Sequence, residues 1–217
     1  MVPTARSRLR LDQLRPTVRV SRPYPLALQQ DLAARYLLQT PTVDNQGFPG
    51  ELAADPSTFR RFTGLMATGR YDAVLILEGA NDLEARDSRV EPSIIAGLRR
   101  MIDDAKSRGI RAYLATLPPE QDGCCPNRGI SWRQVPELDD MIRALAAEEG
   151  VPLVDLYQAL IGNMAGNISV DGLHLTEQGY ARIAQTFFGT ITQTLEQPAS
   201  APAVRGRVGP QRPRGGR

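Results

Sequence analysis

The chain has 217 residues, 41% of them hydrophobic, which suits one domain of roughly 150–200 residues with tails. Its net charge of +2 is unevenly placed: residues 1–22 carry six arginines against one aspartate, residues 197–217 carry five arginines and no acid, and the body between them is net −8. An acidic body between basic ends argues against a specific nucleic-acid-binding domain, no apolar run reaches the roughly 18 residues of a membrane span, and one histidine with the adjacent pair Cys124-Cys125 makes no metal site.

In chain order, residues 1–22 read as a basic surface segment. Arg8-Leu9-Arg10-Leu11 and Thr17-Val18-Arg19-Val20 alternate, which permits an edge strand but not one covered on both faces. No apolar stretch of a signal peptide follows Met1. Pro23-Tyr24-Pro25 opens a helix over about 24–38, with Leu26, Leu28, Leu32, Ala33 and Tyr36 inward. Thr42–Asn45 reads as a short strand and runs into a loop holding Gly47 and Gly50. Pro56 starts a helix carrying Phe59, Phe62, Leu65 and Met66.

Tyr71–Leu77 contains five consecutive apolar residues and predicts a parallel strand buried on both faces. It ends in the polar turn Glu78-Gly79-Ala80-Asn81-Asp82. A helix over 91–107 with Ile94, Ile95, Leu98, Met101 and Ile102 inward stops at Gly109, and Arg111–Thr116 is the next strand. A long loop from Leu117 to Ser131, a helix over 134–149, a strand at Val151–Asp155 and a loop over about 156–170 follow. The last helix, about 177–195, has Thr176 as N-cap and Tyr180, Ile183, Ala184, Phe187, Ile191 and Leu195 inward. Beyond 196 the Pro, Ala, Gly and Arg composition predicts a disordered tail.

Strands and helices alternating at this spacing predict an α/β fold, a parallel sheet with helices on both faces, whose ligands bind at the carboxyl ends of the strands. Three polar loops converge there: those holding Gly50, Asn81, and Asp171 with His174. Asp171 lies three positions before the only histidine, so its carboxylate can hold the imidazole Nδ1 and leave Nε2 as a base. Taken singly, each residue also has a plainer reading: Gly50 as a turn glycine, Asn81 as a cap, Asp171 as a turn aspartate beside an incidental histidine.

Together, Asn45-x-Gly-x-x-Gly50-Glu51, the Glu78–Asp82 turn after a buried strand, and Asp171-Gly-Leu-His174 before the final helix resemble the SGNH (GDSL-type) hydrolases over about residues 23–195. The resemblance implies a flavodoxin-like three-layer α/β/α sandwich. It also implies a Ser-His-Asp esterase acting on a small-molecule ester without a cofactor. His174 would be the base and Asp171 its orienter; the Asn81 side chain and the Gly50 N–H would be the oxyanion donors. The domain would span 23–196, between the basic segment 1–22 and the tail 197–217.

The family's first motif, Gly-Asp-Ser at the end of the first and central strand, is absent, and with it the nucleophile. Ser7 and Ser21 follow no buried strand. Without that strand its two neighbours must close up or leave a gap. The chain as written is therefore expected to be inactive or nearly so. Either an upstream stretch encodes the strand, or this is a serine-less relative that binds a carbohydrate or acyl group without turnover. The sequence fixes neither substrate nor oligomeric state, and compartment reads as cytoplasmic unless a signal peptide lies upstream.

Overall fold

The structure, a computed structural model, describes residues 22–83, 90–122 and 131–196. The readings of the alternating N-terminal segment, of Ser7, Ser21 and Cys124-Cys125, and of the tail lie outside these residues. The described elements are α1 (Tyr24–Arg35), α2 (Pro56–Met66), β1 (Ala73–Ile76), α3 (Ala80–Leu83), α4 (Glu91–Ser107) and β2 (Arg111–Ala115). They continue with α5 (Ser131–Glu149), β3 (Leu153–Val154), α6 (Leu156–Ile161), α7 (Met164–Asn167) and α8 (Glu177–Glu196). None of these helices is long and apolar enough to cross a membrane.

The α/β fold is the expected one. Three parallel strands run in the order β1-β2-β3, with Val74 opposite Ala112 and Leu114 opposite Leu153. Strand β2 is central and buried on both sides after its first residue. Its side chains alternate: Ala112 and Leu114 meet the layer of α2, α4 and α5, while Tyr113 and Ala115 meet that of α1, α6 and α8. The first layer is filled by Phe62, Ile94, Leu98 and Leu138, the second by Leu28, Leu160, Ile183 and Phe187. Tyr24 stacks on Phe187 with ring centroids 5.7 Å apart, fixing the start of α1 against α8.

Several expectations are corrected. Helix α1 ends at Arg35, and Leu26 and Ala33 face solvent while Ala27 is buried. Thr42–Asn45 is extended but joins no ladder among the described residues, because no described strand lies beside it. The region 156–170 is not one loop. Asp155 caps α6 by accepting from the Gln158 N–H, Asn163 caps α7 by accepting from Gly166, and Leu156 and Leu160 bury one face of α6. The strand expected at Val151–Asp155 is confined to two residues, α5 starts three residues early, and Leu195 is half-exposed.

Among the described residues no strand pairs with the outer edge of β1, and a cavity of about 960 Å³ is lined by β1, α1, α2 and the 39–47 segment. The extended segment 42–47 forms its opposite wall, held by Gln29, which accepts from the Val43 N–H and donates to the Pro41 carbonyl. Gln46 further donates to the Tyr71 hydroxyl at 3.2 Å.

The packing of α4 against the 50–54 loop rests on Gly97. A Cβ there would sit on the Ala53 carbonyl, deep inside van der Waals contact. Gly97→Ala is therefore expected to destabilise the protein by about 1–3 kcal/mol, read as a lowered denaturant midpoint at unchanged slope.

Candidate active site

The Asp171–His174 stretch is a small closed turn. Ile168 and Leu175 form an antiparallel bridge, the Ser169 N–H donates to the His174 carbonyl at 2.7 Å, and Gly172 takes a φ of 81° that closes the turn. Thr176 caps α8 as expected, accepting from the Gly179 N–H at 3.1 Å. Inside the turn Asp171 is buried and accepts four hydrogen bonds. Its Oδ1 takes the Ser169 hydroxyl and the Leu173 and His174 N–H groups, and its Oδ2 lies 2.6 Å from His174 Nδ1. Burial pushes the Asp171 carboxyl up, but the imidazole, the hydroxyl and the two N–H groups outweigh it and hold the group well below the usual carboxylate range. An ionised Asp171 makes Nδ1 the donor and places the lone pair on Nε2. The His174 side chain is 49% exposed, so that nitrogen is accessible.

The second cluster forms where β1 ends. Asn81, in the first turn of α3, donates its amide to the Glu51 carbonyl at 2.9 Å. Asp82 is buried and takes the N–H groups of Ala53 and Ala54 at 2.8 and 2.9 Å. These three bonds fasten the 50–54 loop to the end of β1. Arg61 of α2 grips the Glu51 carboxylate through two N–H groups and also donates to the Gln46 carbonyl at 3.0 Å. Gly50 then stands on an exposed turn with φ 77°, and its N–H has no acceptor among the described residues.

Each expected pair is thus assembled, Asp171 with His174 and Gly50 beside Asn81, but no direct bond joins the two. The connection runs through a line of neighbours. The Gln121 N–H donates to the Gly172 carbonyl at 2.9 Å, tying the loop after β2 to the histidine turn. Tyr24 is influenced electrostatically by both Glu78, at the end of β1, and Tyr180, which in turn feels Asp171. Sequence reasoning missed Asp82 as the loop clamp, Ser169 as a donor to Asp171, and Glu78 as a perturbed acid. An acid closing the Asn81-Asp82 pair was the only available sign of the first.

Glu78 has the opposite environment to Asp171. Burial, then the carboxylates of Glu51 and Asp82, push it up to about 8, against the lowering effect of Arg61. Among the described residues no group of three or more His, Cys, Asp or Glu is arranged to hold a metal ion.

The two acids predict opposite pH behaviour. Asp171 is depressed in the fold, so its contribution is complete above the unfolded value near 3.8 and fades as pH falls below it. Asp171→Asn is expected to cost about 1–3 kcal/mol at pH 7, with the gap from the parent narrowing below about pH 4 in denaturant titrations. Glu78 is raised, so its contribution is complete below about 4.5 and is lost as pH rises through about 8. Glu78→Gln is expected to flatten that decline, gaining on the order of 2 kcal/mol on the parent between those limits.

Residues 12–182 match the profile of the GDSL-like lipase/acylhydrolase family. No curated protein matches the sequence significantly. Among solved structures, the chain is similar to Est24, a carbohydrate acetylesterase from Sinorhizobium meliloti, with TM-score 0.70 and 17% identity over 83% of this chain and 90% of that one. It is similar to an aryl esterase of M. smegmatis (TM-score 0.68, 19% identity, 79% and 85% covered). It is also similar to a lipase/acylhydrolase from Enterococcus faecalis (0.67, 25%, 77% and 84%). With a family match across most of its length and the fold of these esterases, the chain belongs to the GDSL-like lipase/acylhydrolase family.

Proposed function

We propose that this chain supplies the base and the oxyanion donors of a Ser-His-Asp ester hydrolase. The observation that carries the reading is the 2.6 Å contact between His174 Nδ1 and a buried, ionised Asp171, with the other ring nitrogen open to solvent. In this reading Nε2 takes the proton of a serine hydroxyl as its oxygen attacks the ester carbonyl. The Gly50 N–H and the free hydrogen of the Asn81 amide receive the negative charge on the carbonyl oxygen. Collapse then expels the alcohol, which takes the proton back from Nε2, and water repeats the cycle on the acyl-enzyme. The similar solved structures include a carbohydrate acetylesterase and an aryl esterase, which supports small acyl esters as substrates.

Among the described residues no hydroxyl hydrogen-bonds to the His174 ring, and Ser169 gives its proton to Asp171 instead. In this reading the chain hydrolyses esters slowly or not at all, and turnover needs a serine hydroxyl brought to Nε2. The same observation favours a second reading, a protein that binds acyl or sugar groups in this site without turnover.

Hydrolysis of p-nitrophenyl acetate separates the two. The chain alone should stay near the buffer rate. A form in which a serine is presented to His174 should turn over and react with a fluorophosphonate. In that active form His174→Ala should cost about 10²–10⁴ in kcat and Asn81→Ala about 10²–10³. An unchanged rate in His174→Ala would remove the assigned base. Absence of fluorophosphonate labelling in that form, with ligand binding retained, would establish the second reading.

A further inference from the structure

We propose that Ser169 is a positioning residue for His174: its hydroxyl locks the Asp171 carboxylate in the one rotation that keeps Oδ2 on the imidazole Nδ1. The inference deepens the ester-hydrolase reading, on which its purpose rests, but its geometry and its test need no turnover.

The first observation is how the donors divide between the two oxygens of Asp171. Oδ1 accepts from the Ser169 hydroxyl at 2.7 Å, the Leu173 N–H at 3.1 Å and the His174 N–H at 2.9 Å. Among the described residues Oδ2 meets the ring Nδ1 alone, at 2.6 Å. A carboxylate oxygen offers two lone pairs, so three donors saturate Oδ1 and leave Oδ2 to the ring. The terminal torsion of an aspartate is broad and two-fold, so the side chain by itself does not keep one oxygen on the imidazole.

The second observation is where the donors come from. The N–H groups two and three residues on are the ordinary partners of an aspartate that closes a turn. Both lie on the arm of the turn that leads to Leu175, and a carboxylate held at one oxygen from one arm still pivots about it. Ser169 lies on the other arm, next to Ile168, which bridges to Leu175. Its hydroxyl supplies the donor that the turn's own N–H groups do not, and Oδ1 is then held from both arms.

The third observation is that Ser169 is itself fixed. Its N–H donates to the His174 carbonyl at 2.7 Å and its carbonyl accepts the Gly172 N–H at 3.0 Å. A short side chain on a backbone tied in this way loses little entropy in holding its hydroxyl in place. A hydroxyl–carboxylate bond of this length is charge-assisted and among the stronger hydrogen bonds. The proton goes to the oxygen that does not face the ring, so Ser169 acts on His174 through Asp171.

The test uses the full 217-residue chain, whose only histidine gives one set of ring signals. At alkaline pH, where the ring is neutral, its nitrogen chemical shifts read the share of each tautomer. Asp171→Ala supplies the reference for an unpaired ring. The parent is expected to hold Nδ1–H, and Ser169→Ala to raise the Nε2–H share about fivefold, the worth of one net hydrogen bond. Ser169→Thr keeps the hydroxyl and should restore the parent's ratio. Exchange of the amides of residues 169 and 172 should be unchanged in Ser169→Ala, because the bonds that close the turn are main-chain. A parental ratio in Ser169→Ala, or no restoration by Ser169→Thr, would overturn the proposal. So would faster exchange at those two amides, since the hydroxyl would then hold the turn and not the carboxylate. A parent indistinguishable from Asp171→Ala is a separate failure, which removes the Asp171–His174 pairing and the ester-hydrolase reading along with this inference.

Discussion

The spacing between the two helix layers is the constraint on which the rest depends, and β2 sets it. Tyr113 and Ala115 fill one side and Ala112 and Leu114 the other, all essentially buried. With close-packed layers on both sides of this strand, the helices cannot approach each other beyond its edge without opening its own contacts. The Tyr24–Phe187 stack and the approach of Gly97 to Ala53 are the close contacts that fasten α1 to α8 and α4 to the 50–54 loop.

The same rigidity arranges electrostatics at the carboxyl ends of the strands. Asp171 is buried among donors and is held ionised, whereas Glu78 is buried among other acids and is pushed up to about 8. Asp139 of α5 is a third case. Burial raises it to about 8 although the Leu117 N–H donates to one of its oxygens, and the other oxygen has no partner among the described residues. Burial is common to the three; the supply of donors decides which acid stays charged. A base needs a permanently charged neighbour, and only the 168–175 turn provides one next to the histidine.

Much of this was legible in the sequence because it is local. The Asp171–His174 pairing, the Thr176 cap and most of the apolar faces of α4 and α8 depend on residues a few positions apart, and the structure has them as read, apart from Leu195, which is half-exposed, and Ile95 and Tyr180, which are partly buried. What was not legible depends on distant partners or on very short elements. Asp82 acts on residues 28 and 29 positions away, and no pattern near it announces that. Helices α6 and α7 are too short for a hydrophobic period to emerge and exist through the caps Asp155 and Asn163. Thr42–Asn45 has the composition of a strand, but a strand is defined by its neighbour, and none is described beside it.

The turn holding the histidine also has a kinetic meaning. Every bond that orients His174 closes within residues 168–175, so its loop-closure entropy is small and it needs no other part of the sheet to be in place. The Gly50–Asn81 side joins residues some thirty positions apart and depends on two helix layers having docked. During folding the Asp171–His174 pair can thus assemble early and reversibly, while the Gly50–Asn81 cluster appears only with the finished core. A chain that stops part-way would carry an oriented histidine without the fastened 50–54 loop.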